Sequence, residues 1–375
     1  MNKYVKRYLI DALSGMAQGL FASLLIGTII KTLGQQLLRL GVNPVFQFLV
    51  NAGNFATDAH VVGAAMAVGI GFAMQVPALV LFSLVAVGSA ANVTGGAGGP
   101  LAVLIIAIAA AELGNLVSKK TKVDIIVTPL VTILAGSLLT VLFAKYIGMA
   151  ASSIGNIIVW ATKLHPFVMG IIISVLVGIV LTLPISSAAI CAALGLVGLA
   201  GGAAVAGCSA QMVGFAVLSF RENGWGGILS QGLGTSMLQM PNIIKNPKIW
   251  IPPTLASAIT GPVATCLFKM EMNGAAVSSG MGTCGLVGQI GVIAGWFTPS
   301  EAAVKSAQHI AEQAGKTVEE INAITAESLA VSPTFFDWLG LILVCFILPG
   351  LLSWAFGLIL RKIGWIKEGD LTLEA

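Results

Sequence analysis

A carboxylate inside a long apolar run is costly to hold and marks a ligand or proton site unless a neighbour neutralises it. Glu112 is such a residue: it lies in the apolar segment from Leu101 to Val117, with Asn115 one helical turn on and on the same face. A second group, Asn51, Asn54, Asp58 and His60, precedes another apolar run, and amides at i, i+3 suit the hydroxyls of a polar solute. Asp58 alone also has the type and place of a helix N-cap. A third group is Glu271 and Asn273, with Ser278, Ser279 and Thr283 behind them, and Lys269 within reach of Glu271. Weaker candidates are His165 before a proline, the run Arg221-Glu222-Asn223, which also reads as a solvated loop, and the amides Gln239 and Asn242 around Met240-Pro241.

Catalytic chemistry has no comparable footing. The chain holds three histidines and no GxSxG, HExxH or Walker A pattern. Its five cysteines lie in apolar surroundings without CxxC or metal-ligand spacing, which reads as free, buried, small hydrophobes. No catalytic residue, metal or cofactor is expected.

The elements that must position these groups belong in lipid. Of 375 residues 57% are hydrophobic and 9% charged, with a mean hydropathy of +0.97, which excludes an ordinary soluble enzyme. No Asp, Glu, Lys or Arg occurs from Ala59 to Ala111 or from Pro166 to Phe220. One spanning helix needs about 20 apolar residues, so each stretch accommodates two spans and more, and the chain reads as an all-α polytopic membrane protein of about ten transmembrane helices with re-entrant hairpins. Basic residues gather at Lys3, Lys6 and Arg7, at Lys119, Lys120 and Lys122, at Lys245 and Lys248, and at Arg361, Lys362 and Lys367. The positive-inside rule places all four runs, and both termini, in the cytoplasm. A basic face interleaved with aromatics is missing, so nucleic acid is not an expected partner.

An internal repeat of about 110 residues is expected from the order of spans, central proline and Gly-rich turn. Ser23, Lys31 and Gly34 match Ser137, Lys145 and Gly148, and Gly63, Pro77, Gly88 and Gly95 match Gly170, Pro184, Gly195 and Gly202. The resulting division is 1–118 and 119–250 as two membrane repeats, 251–297 as a span plus a re-entrant hairpin, 298–332 as a soluble helical excursion and 333–375 as the last span and tail. Two Gly-Leu-Val-Gly segments, at Gly195 and Gly285, each follow a serine pair, Ser186-Ser187 and Ser278-Ser279. Broken, Gly-interrupted segments in corresponding places point to a transport site. In the excursion Thr298-Pro-Ser-Glu301 and Thr317-Val-Glu-Glu320 read as helix caps.

The opening Arg7-Tyr-Leu-Ile-Asp-Ala-Leu-Ser-Gly-Met-Ala-Gln-Gly-Leu-Phe-Ala-Ser-Leu-Leu-Ile-Gly-Thr28 resembles that of bacterial phosphotransferase-system EIIC-like membrane proteins, also called perfringolysin-regulator-like or putative toxin regulators. The resemblance extends through Asn51-Ala-Gly-Asn54, the Gly-rich turn and Arg221-Glu-Asn-Gly-Trp-Gly-Gly227. It implies a sugar-translocating domain in the bacterial cytoplasmic membrane, commonly homodimeric, with EIIA and EIIB proteins as partners. Neither partner domain is read in the chain, and Thr298-Pro-Ser-Glu301 is the nearest approach to a Gly-x-Thr-Glu-Pro-like sugar motif. The expectation is alternating-access transport of a small polar solute, a sugar or related polyol or acid. Asn51, Asn54, Asn273, Ser278 and Ser279 would hold hydroxyls, and Glu112 or Glu271 would be the acceptor or proton carrier. The alternative is a membrane sensor that binds such a ligand without moving it.

Overall fold

The structure, a computed structural model, describes residues 4, 6–313 and 315–373, with Leu40 as backbone only; Lys3 of the first basic run lies outside them. Among the described residues the chain is helical, and its one strand-like contact is an isolated bridge between Gly198 and Met272. This is an all-α polytopic membrane protein, as its composition demands.

Helix α1 runs over Lys6–Arg39, 34 residues where one crossing needs about 20. Its extra turns are held by helix α2 (Pro44–Ala56), which folds back on them: a Cβ on Gly34 would lie 2.8 Å from the Val50 nitrogen, and one on Gly53 would lie 2.6 Å from that of Lys31. Asn43 caps α2 by accepting from Val45 N at 2.9 Å, with Pro44 at the first position. Helix α3 (Ala59–Ala73) bends 56° from α2 and lies along the first half of α1, where Gly15 and Gly69 bring the two backbones together. Helices α4 (Ala78–Gly95) and α5 (Gly99–Val117) form an antiparallel hairpin, since Gly114 near the end of α5 packs on Val80 near the start of α4. The turn between them needs Gly96, whose φ of +53° is a left-handed conformation. The Gly-rich signal read in the sequence is this turn.

Helix α6 covers Asp124–Ala161 without a break. At 1.5 Å per residue its 38 residues span about 57 Å, well beyond a hydrocarbon core of about 30 Å. The helix continues because Gly148 and Ala151 pack against Gly95 and Gly98 in the α4–α5 turn.

Helices α7 (Pro166–Thr182) and α9 (Gly198–Leu218) run parallel, Ser174 lying beside Gly207 and Thr182 beside Gln211. The segment between them must therefore return across the layer, and it does so through the short helix α8 (Ser187–Ala193). Helix α9 is buried almost all round, which suits its composition of Gly, Ala, Cys and Ser. From the end carrying Arg221 the chain re-enters the bundle through α10 (Phe220–Leu229) and a wide π-type turn at Ser230–Gly234. It returns through Ser236–Gln239 and α11 (Met240–Lys245). Helix α12 (Ile251–Pro262) continues to Leu267, antiparallel to α7 and α9; Ser174 donates to Ser257 O at 2.8 Å and Thr265 to Pro166 O at 2.8 Å.

A second hairpin enters from the opposite end. Its descending arm is the 3₁₀ turn Ala276–Gly280, and its returning arm is α13 (Val287–Phe297). The excursion follows as α14 (Glu301–Gln313), α15 (Val318–Asn322) and α16 (Ala326–Leu329). The box expected at Thr317 and Glu320 is formed. At α14 the cap is Ser300, not Thr298: Ser300 precedes the first helical residue and its hydroxyl accepts from Ala303 N, whereas Thr298 turns back to Ala294 O. The last helix, α17 (Phe335–Lys362), packs on α9, and its tail folds back under the bundle.

Candidate functional site

The two hairpin tips meet in the middle of the bundle. Thr283 donates to Gly232 O at 2.5 Å, joining the tip of the second hairpin to the π-type turn of the first. The second hairpin also lies against α8: Ser187 donates to Gly280 O at 2.7 Å, and Ser279 donates to Leu196 O at 2.6 Å. The two serine-bearing broken segments of the sequence are thus in direct contact. The approach is so close that a Cβ on Gly280 would lie 2.5 Å from the Ser187 carbonyl.

Between these tips and the first helices is a cavity of about 390 Å³. Leu20, Leu24 and Leu25 of α1 form one wall, Thr57 and Val62 another, and Asn92, Gly96 and Pro100 the side at the α4–α5 turn. Leu183, Ile185 to Ala189, Gly234, Thr235 and Met237, and Met281 and Cys284 complete the lining. Two wide π-type turns, Phe21–Leu25 and Ser230–Gly234, border the space, and such turns recur at functional sites. The size falls in the range of about 300–1,000 Å³ usual for small-molecule sites. Polar groups are few. Asn92 is 9% exposed and donates to Ala59 O at 2.8 Å, which leaves its Oδ1 as an acceptor with no protein donor among the described residues. Thr235 accepts from Met237 N at 3.1 Å and keeps its own proton to give. Ser186 accepts from Ala189 N.

A second cavity of about 410 Å³ opens between Gln18 and Phe21 of α1, Asn223 and Ser230, and Leu373 of the tail. Phe21 separates it from the first: its Cε2 lies where a Cβ on Gly234 would be only 2.5 Å away. Below this space four buried or half-buried amides hold the tail. Gln239 donates to Gln231 Oε1 and Leu371 O, Asn242 to Gln239 Oε1 and Thr372 O, and Asn223 to Leu371 O, all at 2.8–3.0 Å.

The residues singled out in the sequence are distributed differently. Asn51 and Asn54 are exposed on α2, with Asn51 accepting from Gln47. Asp58 caps α3 at the His60 nitrogen, 2.9 Å, and His60 bonds Ser89 through Nδ1 at 2.8 Å. Glu112 accepts from Arg7 Nε at 3.1 Å and Nη2 at 2.9 Å, with both side chains about a third exposed, and Asn115 follows on the same helix; neither residue reaches the cavity. Glu271 and Asn273 bond each other at 2.8 Å at the far mouth of the second hairpin. Ser278 and Ser279 are buried behind the tip and Thr283 stands at it. His165 caps α7. Arg221 is exposed, while Glu222 forms a buried ion pair with Arg361 at 2.7 Å; Asn223, Gln239 and Asn242 bind the tail.

Asn92 was passed over in the sequence. Its signal was available, as an amide in a charge-free apolar run immediately before the Gly-rich turn. A family model described as Phosphotransferase system, EIIC, matches residues 10–312. No curated protein and no solved structure matches the chain.

Proposed function

Because the chain belongs to the phosphotransferase-system EIIC family, a sugar-transporting membrane component, we propose that its substrate occupies the cavity of about 390 Å³ between the hairpin tips. The substrate class is a small sugar or a related polyol or sugar acid. The observation that carries this is the meeting of two re-entrant hairpins, entering from opposite ends, at one cavity with free hydrogen-bonding capacity. Half-helices and irregular backbone are tolerated at membrane depth where they line a cavity. Asn92 Oδ1 accepts from a substrate hydroxyl, and Thr235 and Ser186 bind its neighbours. The apolar faces of a sugar ring suit Leu24, Leu25 and Met237.

Alternating access then requires Phe21 to leave Gly234, joining the central cavity to the second one at the basic end, which the charge rule makes the cytoplasmic exit. Both termini are cytoplasmic in this reading, and the working unit is a homodimer with EIIA and EIIB proteins as phosphoryl-carrying partners. Glu112 has a structural part here, neutralising Arg7 at the bundle end.

A thermal-shift screen of the purified protein against sugars, polyols and sugar acids tests the reading. A ligand at a hundred times its dissociation constant adds about 2.7 kcal/mol of stability. Asn92→Ala and Thr235→Val should abolish the shift, while Asn51→Ala and Glu112→Gln keep both shift and uptake. Retained binding in the Asn92 and Thr235 variants would remove the ligand from this cavity.

A further inference from the structure

A third cavity, of about 240 Å³, lies outside the translocation path, between the end of α9, the start of α10 and the last turns of α17. Its polar lining is two guanidinium groups, Arg221 and Arg361; its apolar lining includes Leu218, Phe220, Trp354 and Leu358. Arg361 is fixed in place. Its Nη2 donates to Glu222 Oε1 at 2.7 Å and to Leu218 O at 3.3 Å, the last carbonyl of α9, and its remaining donors have no partner among the described residues. Arg221 is exposed and has no ion pair among the described residues. Gly357 lets Leu218 press against α17, for a Cβ there would lie 2.1 Å from Leu218 Cδ1.

The surroundings are those of a membrane-facing surface near an interface. Trp225 is 74% exposed and packs edge-on to the lining residue Phe220 at 5.5 Å between centroids, and Trp354, on the other lining helix, is half-exposed. Tryptophan is enriched at the headgroup level, and basic pockets between helices on the cytoplasmic side bind phosphate-bearing headgroups. We propose that this cavity binds an anionic phospholipid. Its headgroup phosphate bridges Arg221 and Arg361 through charge-assisted hydrogen bonds, and its acyl chains lie along Trp354 and Leu358. A soluble phosphate would share the guanidinium contacts but leave the apolar wall uncovered, and the wall is why a lipid is favoured.

The test is thermal denaturation of the full chain in a neutral maltoside detergent. Dioleoyl-phosphatidylglycerol, dioleoyl-phosphatidylcholine or inorganic phosphate is titrated in at constant ionic strength. Phosphatidylglycerol should raise the melting temperature saturably, and the other two should not. Arg221→Gln should move the midpoint of that titration about tenfold to higher lipid, the loss of one charge-assisted contact. The paired variant Glu222→Gln/Arg361→Gln, which leaves no buried charge, should do the same, whereas Lys120→Gln should not. An unchanged titration in Arg221→Gln, an equal response to phosphatidylcholine, or a shift given by inorganic phosphate alone would each overturn the proposal. None of these readings involves sugar binding, so they stand or fall apart from the transport site.

Discussion

The Glu222–Arg361 pair offers the sharpest test of how the bundle end is built. Its side chains are 5% and 16% exposed and their atoms 2.7 Å apart. At an effective dielectric of about 20 the attraction is roughly 6 kcal/mol, most of which offsets the cost of taking two ions out of water. The two partners are not equally placed. Glu222 keeps a buried Oε2 without any hydrogen-bond partner, whereas Arg361 also holds Leu218 O and borders an open cavity. Arg361→Gln should therefore cost about 3–5 kcal/mol, the penalty of an uncompensated buried carboxylate. Glu222→Gln should cost only about 1–2 kcal/mol. The double variant should lie near or below the milder single one. With an unfolding entropy of about 2.1 cal/mol/K per residue, 1 kcal/mol moves the melting temperature of this chain by about 1.3 °C. The expected falls are then about 4–6 °C, about 1–3 °C and at most about 3 °C. Circular dichroism of the purified protein in detergent, heated at fixed scan rate, measures them. If Arg361→Gln is no worse than Glu222→Gln, or the double variant is worse than either, the carboxylate is not the burdened partner and the reasoning fails.

Gly280→Ala would push a methyl to within 2.5 Å of the Ser187 backbone and part the second hairpin from α8. Overpacking of this kind costs about 1–3 kcal/mol, and every 1.4 kcal/mol withdrawn from the transport-competent arrangement lowers uptake about tenfold; Gly226→Ala, with open space around it, should transport normally, and equal uptake by both in proteoliposomes would refute the packing argument. In the excursion, hydrogen bonds from the Thr317 backbone and side chain hold the Glu320 carboxyl below its ordinary 4.5. A depressed carboxylate stabilises above its unfolded pKa and loses that contribution as pH falls through the folded one. Amide protection across Val318–Asn322, taken relative to the intrinsic exchange rate at each pH, should thus hold at pH 5 and fall only below the usual glutamate range, and Glu320→Gln should remove that pH dependence; protection already falling as pH is lowered to 5 would contradict the cap.

The sequence announced some of this and hid the rest, for physical reasons. Charge-free runs and the prolines around them declare helices in lipid, and the Gly-rich turns at Gly96 and around Gly280 declare where helices break. The serine pairs marked the touching segments, because small residues are needed wherever backbones approach. Partners were invisible. Glu112 and Glu222 looked alike as carboxylates beside apolar runs, yet they are relieved by Arg7, 105 residues away, and Arg361, 139 residues away. Asn51 and Asn54 had the spacing for hydroxyls, but α2 turns them outward. Asn92 was legible as an amide before the Gly-rich turn, but the space it lines is set by how α1 and the hairpin tips pack around that turn, which one-dimensional spacing does not encode.

The tail has a consequence for how the molecule is made. Ile366 and Leu371, 2% and 0% exposed, belong to the same apolar cluster as Ala12, Met16, Val80 and Ala107. Amides at Gln239, Asn242 and Asn223 fasten the backbone around them. During synthesis the first helices enter the membrane long before their core can be sealed, because Ile366 and Leu371 are made only after α17. Until then the half-built body must shelter in the insertion machinery or expose its seam. A chain interrupted just after Lys362 would carry α1 to α17 and still leave its earliest core open, so the packing of the first helices is finished only by residues that follow the last of these helices.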